Sequence, residues 1–135
     1  MAVSGMNHFT ILTDDVPHTV DFYARFLGLV NGPRPDLGFP GAWLYSGETA
    51  VLHVVGGRSR EELRSGVIDH MAFTATDLPG TAAKLKKAGI EYELRRLPEG
   101  GVRAGLWQLF FDDPHGGKVE FDFDKDEAAP AGHAA

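Results

Sequence analysis

His70-Met71-Ala72-Phe73-Thr74-Ala75-Thr76-Asp77-Leu78-Pro79-Gly80-Thr81 is the stretch on which the reading of this chain turns. With Gly66, Val67, Ile68 and Asp69 before it, the run is apolar and rich in β-branched and aromatic side chains, so a largely buried strand is expected over Gly66–Thr74. A histidine inside such a strand is costly unless its ring nitrogens find partners. The same pattern occurs earlier in the chain. His8 to Thr19 reads HFTILTDDVPHT against HMAFTATDLPGT for His70 to Thr81, without a gap, at an offset of 62 residues. His8 meets His70, Asp15 meets Asp77, Val16 meets Leu78, Pro17 meets Pro79 and Thr19 meets Thr81. Self-similarity of this kind marks a duplicated supersecondary unit.

The residues around each copy support the duplication. Phe9 to Thr13 predicts a strand, and Asp15 ahead of Val16-Pro17 predicts a capped helix with proline in its first turn. Val20, Tyr23, Ala24 and Leu27 lie at helical spacing and Gly28 supplies the stop. A second strand is weakly marked at Leu29-Val30, and Asn31 to Pro40 reads as a loop. Gly41–Tyr45 and Ala50–Val55 read as strands joined by a turn at Ser46-Gly47-Glu48. In the second copy Asp77 caps a helix over Thr81–Ala88, and Gly89 ends it. Ile90–Leu97 reads as a strand with exposed charges and Pro98–Ala104 as a loop. Leu106–Phe111 and Lys118–Phe123 form a hairpin around Asp112 to Gly117. Each half is therefore β-α-β-β-β, and the chain is α+β. The modules run from 6 to 57 and from 66 to 123, joined by a polar linker at 58–65. One half cannot bury its sheet face alone; two can.

Composition bounds the function. The 135 residues suffice for one domain of two half-units, with 43% hydrophobic and 24% charged residues, an ordinary balance for a globular protein. A formal net charge of -6 argues against binding nucleic acid. The absence of cysteine excludes disulfides, thiolate metal sites and cysteine nucleophiles. No apolar run reaches membrane-spanning length and Met1 to Met6 lacks the features of a signal peptide, so a cytoplasmic protein is expected. The polar, Ala/Pro/Gly-rich tail 125–135 is expected to be disordered.

The repeat also carries a constellation of polar side chains. His8 and His70 head the first strand of each half, while His53 and Glu120 lie in the last strands, 45 and 50 residues further on. Three imidazoles and a carboxylate suit a divalent first-row metal. Such an ion would offset the cost of burying Glu120 between Val119 and Phe121. Strict alternation offers a second arrangement, with Glu120 turned to solvent and His53 satisfied on a backbone carbonyl. Trp43, Tyr45, Trp107 and Phe110 lie on the penultimate strands, with Gln108 among them. They read either as an aromatic pocket lining or as plain core. Arg34, Arg95, Arg96 and Arg103 are the candidate anion contacts, or solvated surface. His18 and His133 read as surface residues.

The chain resembles the vicinal oxygen chelate superfamily, which includes glyoxalase I, extradiol dioxygenases, fosfomycin-modifying thiol transferases and bleomycin-sequestering proteins. The resemblance is carried by Asn7-His8-Phe9, Asp21-Phe22-Tyr23 with Leu27-Gly28-Leu29, Asp69-His70-Met71-Ala72-Phe73, and Phe111-Asp112-Asp113-Pro114-His115-Gly116 leading into Val119-Glu120. It implies paired βαβββ modules forming a cupped eight-stranded mixed sheet around an open metal site, and a homodimer with sites shared between chains. His8, His70 and Glu120 map onto the two-histidine, one-carboxylate ligand set. His53 stands where glyoxalase I usually has a glutamate ligand, and His115 departs from the usual Asp-Pro-Asp-Gly turn. The implied cofactor is zinc, nickel, manganese or iron(II), with glutathione as a candidate co-substrate. A glyoxalase I-like lyase/isomerase is the first expectation, with Glu120 and His53 as catalytic residues and the pocket drawn from Trp43, Tyr45, Trp107, Gln108, Phe110 and Arg34. Ring-cleavage dioxygenase, thiol transferase and metal-free sequestering protein are the alternatives.

Overall fold

The structure, a computed structural model, describes residues 5–59, 63, 68–101 and 103–133. Most of the expected linker, and Gly66-Val67 of the expected strand, lie outside the described residues. The chain divides into two compact units, Met1–Ser65 and Gly66–Ala135, and both follow one element order. The first contains β1 (Phe9–Leu12), α1 (Val16–Leu27), β2 (Val30–Gly32), β3 (Gly41–Ser46) and β4 (Thr49–Val55). The second contains β5 (Met71–Thr74), α2 (Leu78–Lys87), β6 (Glu93–Arg96), β7 (Trp107–Asp112) and β8 (Lys118–Phe123). The eight strands hydrogen-bond as two mixed sheets of four, in the equivalent orders β1-β4-β3-β2 and β5-β8-β7-β6. In each sheet the first and last strands of the module pair in parallel, which the intervening helix makes possible.

Local chemistry explains the first module. Asp15 is extended and its side chain accepts from the His18 amide at 3.1 Å, while Gly28 closes the helix at φ 70. Thr13 and Thr19 join strand and helix through a buried hydroxyl contact of 2.8 Å. Leu44, Leu52 and Val54, with Phe22 and Tyr23 of α1, form its core. Alternation then turns Trp43, Tyr45 and His53 to the opposite sheet face. The weakly marked second strand is real because of Gly32. A Cβ there would fall 2.8 Å from the Tyr45 ring, so the bare backbone lets that ring lie across β2.

The second module departs from expectation in three places. Strand β5 begins at Met71, after His70, and Ile68 is 71% exposed, so of the described part of the expected buried strand Met71–Thr74 is strand. Among the described residues, pairing with β8 runs from Met71↔Val119 to Thr74↔Asp122. Helix α2 begins at Leu78, earlier than the expected Thr81, because Asp77 and Pro79 start it as Asp15 and Pro17 start α1. The third departure is the tail, expected to be disordered, which docks through its described residues. Glu127 accepts from the Asp77 and Leu78 amides at 2.8 and 3.0 Å, and its carbonyl accepts from Trp107 Nε1 at 3.2 Å. The Lys125 carbonyl accepts from Arg96 at 2.7 Å, and Pro130 is buried. Composition suggested disorder; a helix terminus short of acceptors supplied the anchor.

Strand β8 decides the two arrangements open for Glu120. Val119, Phe121 and Phe123 are buried on one face, and Glu120 and Asp122 are also buried, at 6% and 7% exposure, on the other. The register puts Phe111, Leu109 and Trp107 beside the first set and Phe110 and Gln108 beside the second. Glu120 is therefore not turned to solvent.

Candidate functional site

In the first module His8 and His53 stack, with ring centroids 3.7 Å apart and planes 16° apart, and Trp43 stacks on the other side of His53 at 4.1 Å and 7°. His8 Nδ1 contacts Asn7 Oδ1 at 2.6 Å. Burial holds the His53 pKa below its ordinary value; His8 adds repulsion, a backbone hydrogen bond at Ala50 opposes, and Arg34 depresses it slightly further. Near-parallel rings do not aim their in-plane lone pairs at one point. The stack thus offers His8 and His53 as neighbours rather than as converging donors. Two other expected pocket residues are engaged nearby: Tyr45 Oη donates to the Pro33 carbonyl at 2.6 Å and Arg34 Nη2 to the Phe39 carbonyl at 3.1 Å.

The second module holds a cavity of about 570 Å³. It is lined on the sheet side by Ala72, Gln108, Phe110, Glu120 and Asp122, with His70 at the head of β5. These residues share a face because their cross-strand partners do: Phe110 pairs with Glu120 and Gln108 with Asp122. Trp107, one residue from Gln108, points the other way. Its ring lies under the Arg96 guanidinium at 4.4 Å and beside His133 at 5.6 Å, so the pocket role expected for Trp107 is not what the fold gives it. Phe110 does reach the cavity, with Arg95 4.9 Å above its ring and His70 edge-on at 6.0 Å.

The chemistry concentrates on His70 and Glu120. His70 Nδ1 meets Asp69 Oδ2 at 2.8 Å and Nε2 meets Glu120 Oε1 at 3.0 Å. A neutral imidazole has one N–H, so it cannot donate to both carboxylates. One contact needs a further cation, either a proton or a metal ion. Two donors about 2.1 Å from one divalent ion at right angles are separated by about 3.0 Å, the same spacing as this pair. The pair therefore fits two adjacent positions of such a site, and Asp69 behind His70 is the usual orienting partner. Among the described residues no group of three or more His, Cys, Asp or Glu side chains is placed to hold a metal ion. What the second module supplies is a pair.

Glu120 also accepts from Gln108 Nε2 at 3.3 Å. Burial raises its pKa above the ordinary carboxylate value, the neighbouring Asp122 raises it further by hydrogen bonding and repulsion, and His70 and Gln108 pull it down. Asp69, Asn7 and Asp122 were not singled out as site residues in the sequence. The signals were present in Asn7-His8, Asp69-His70, and the two-residue step from Glu120 to Asp122.

The family described as Glyoxalase/Bleomycin resistance protein/Dioxygenase superfamily matches residues 5–121. Among known proteins, the chain is similar to Glyoxylase I 4 of Arabidopsis thaliana, 31% identical over 124 residues, spanning 87% of this chain and 70% of that protein. Among solved structures, lactoylglutathione lyase from Agrobacterium tumefaciens aligns with a TM-score of 0.65 at 18% identity, covering 93% of this chain and 97% of that one. A genomically encoded fosfomycin resistance protein from Listeria monocytogenes aligns at 0.68 and 17%, covering 89% and 91%. At these identities the two structures speak for the fold. Among the described residues no helix is long and apolar enough to cross a membrane.

Proposed function

The chain belongs to the Glyoxalase/Bleomycin resistance protein/Dioxygenase superfamily, and on that premise we propose that it is a divalent-metal-dependent lyase/isomerase of the glyoxalase I kind. Its substrate is a small molecule that chelates through adjacent oxygens. The observation that supports this reading is the 3.0 Å contact between His70 Nε2 and Glu120 Oε1, which brings an imidazole and a carboxylate to the spacing of two adjacent ligands of a divalent ion. The donor types suit zinc, nickel, manganese or iron(II). His70 and Glu120 would hold the ion in the second module; His8, hydrogen-bonded to Asn7, is the repeat-equivalent histidine of the first. When bound, the ion acts as a Lewis acid on the substrate oxygens.

The chain's own residues do the proton work. Glu120 takes a proton from the carbon bearing the hydroxyl and returns it to the neighbouring carbon, while the hydroxyl proton passes to the neighbouring carbonyl oxygen, so the isomerisation balances without an oxidant. Burial makes Glu120 a stronger base than an ordinary carboxylate, and the Gln108 hydrogen bond works against that rise. His70 is fixed by Asp69, and Phe110 and Ala72 exclude water from one side of the carboxylate.

The test is Glu120→Gln in metal-loaded protein assayed with glutathione thiohemiacetals of small oxoaldehydes. We expect stoichiometric metal to be lost on elemental analysis and kcat/KM to fall by about 10²–10⁴. Wild-type metal content and turnover in the variant would refute the assignment. Oxygen uptake on catechols by iron(II)-loaded protein, without isomerisation, would replace this reading with extradiol ring cleavage.

A further inference from the structure

Arg34, in the first module, carries a charge that no neighbouring carboxylate answers. Its guanidinium lies over the Phe39 ring at 5.0 Å, and Nη2 donates to the Phe39 carbonyl at 3.1 Å. Nε is buried with no hydrogen-bond partner among the described residues. No carboxylate among them lies in ion-pairing reach, and Asp36, two residues on, is turned to the Gly38 amide at 3.1 Å. Arg95 and Arg103 by contrast each hold a carboxylate, Glu93 at 2.9 Å and Asp122 at 2.7 Å. The chain has 19 acidic residues against 13 lysines and arginines, so partners for a cation are not scarce. Arginine stays charged in proteins, and no proton shift relieves the buried donor.

The backbone makes room for this side chain. A Cβ on Gly41 would fall 2.8 Å from Arg34 Nη2 and 3.1 Å from its Cζ, so the bare glycine is what admits the guanidinium. Gly41 and Trp43 flank the buried Ala42 on β3, which sets the guanidinium on the same sheet face as the Trp43 ring. Trp43 is half-buried and ends the row of rings that runs through His53 to His8. Cation and ring stand two strand positions apart, about 7 Å.

We propose that Arg34 is a binding residue for the carboxylate of a small aromatic ligand whose ring lies against Trp43. The site belongs to the first module and its recognition needs no metal, so it goes beyond the proposed lyase/isomerase reaction. A guanidinium already fixed by a ring and a carbonyl loses little freedom on taking an oxyanion, and most of its N–H donors remain unused. An aryl carboxylate spans the distance from cation to ring and presents the planar acceptor that a guanidinium matches.

The probes are benzoate and its neutral, isosteric counterpart benzamide, titrated by NMR against the full chain, metal-loaded and again after chelation. We expect benzoate to bind about tenfold or more tightly than benzamide in both states. Binding is expected to shift the Trp43 indole and Arg34 Nε–H signals, and Arg34→Gln to bring the ratio near unity. No benzoate binding, equal affinities in the wild-type protein, an unchanged ratio in the variant, or shifts confined to the second module would each overturn the proposal. Benzoate binding that disappears on chelation assigns the carboxylate to the metal and overturns it as well. The wild-type ratio and the location of the shifts need no variant, so a destabilised Arg34→Gln leaves the test intact. Metal content and turnover, read on the same samples, report separately on the proposed function.

Discussion

Asn7 and Asp69 stand one residue ahead of the two repeat histidines, and each side chain takes the Nδ1 of its neighbour, at 2.6 and 2.8 Å. The effect in both modules is to leave Nε2 as the working nitrogen. His53 has instead a backbone hydrogen bond at Ala50 and lies between two rings. Its depressed pKa has a definite sign for stability. The folded state favours neutral His53, so its contribution is present above the ordinary value of 6.5 and is lost as pH falls through the depressed one. Imidazole NMR titration is expected to place His53 below 6.5, and His8→Ala to raise it by removing the stacked neighbour. Gln108 supplies a second test at this scale. Its donated hydrogen bond favours ionised Glu120, so Gln108→Ala should shift the acidic limb of the kcat/KM profile to higher pH. An unmoved limb would separate Glu120 from the rate.

At the scale of elements, the two helices share a sequence signature but are capped differently. Asp15 is an extended N-cap at φ -147, whereas Asp77 sits in the left-handed region at φ 68, a costly conformation for a residue with a side chain. The tail relieves this: the Glu127 carboxylate takes two amides at the start of α2, where a negative charge also meets the helix dipole. Glu127→Ala is expected to destabilise the protein by about 1–2 kcal/mol, read by chemical denaturation. Faster amide exchange at Asp77 and Leu78 would locate the loss. A silent variant would mean that the tail decorates rather than stabilises α2. Strand β8 shows how packing overrides pattern. Alternation in Lys118-Val119-Glu120-Phe121-Asp122-Phe123 resembles a strand with one wet face, yet every residue from Val119 on is buried.

For the whole molecule, duplication gives two similar sheets and two unlike chemical faces, one a stack of rings and the other a cavity with carboxylates. The homodimer implied by the resemblance is tested by sedimentation equilibrium, with a two-chain mass expected at micromolar concentration. Chelation of the metal is expected to lower the melting temperature, because an ion bound only to the folded state stabilises it by mass action. The amino-acid sequence alone determined the duplication, the element order, the helix caps at Asp15 and Asp77, and the candidacy of His8, His70 and Glu120. These follow from local rules, namely capping residues, strand period and self-similarity at a fixed offset. Strand period also sets Trp107 and Phe110, three residues apart, on opposite faces and Asp122 on the face of Glu120, but it did not determine that both faces of β8 are buried or that a cavity lies over the second. Nor did it reveal that the tail anchors a helix. Each of these depends on which strand lies beside which, in what register, and on partners distant along the chain such as Glu127 and Asp77. Local propensity cannot carry that information; pairing and burial do.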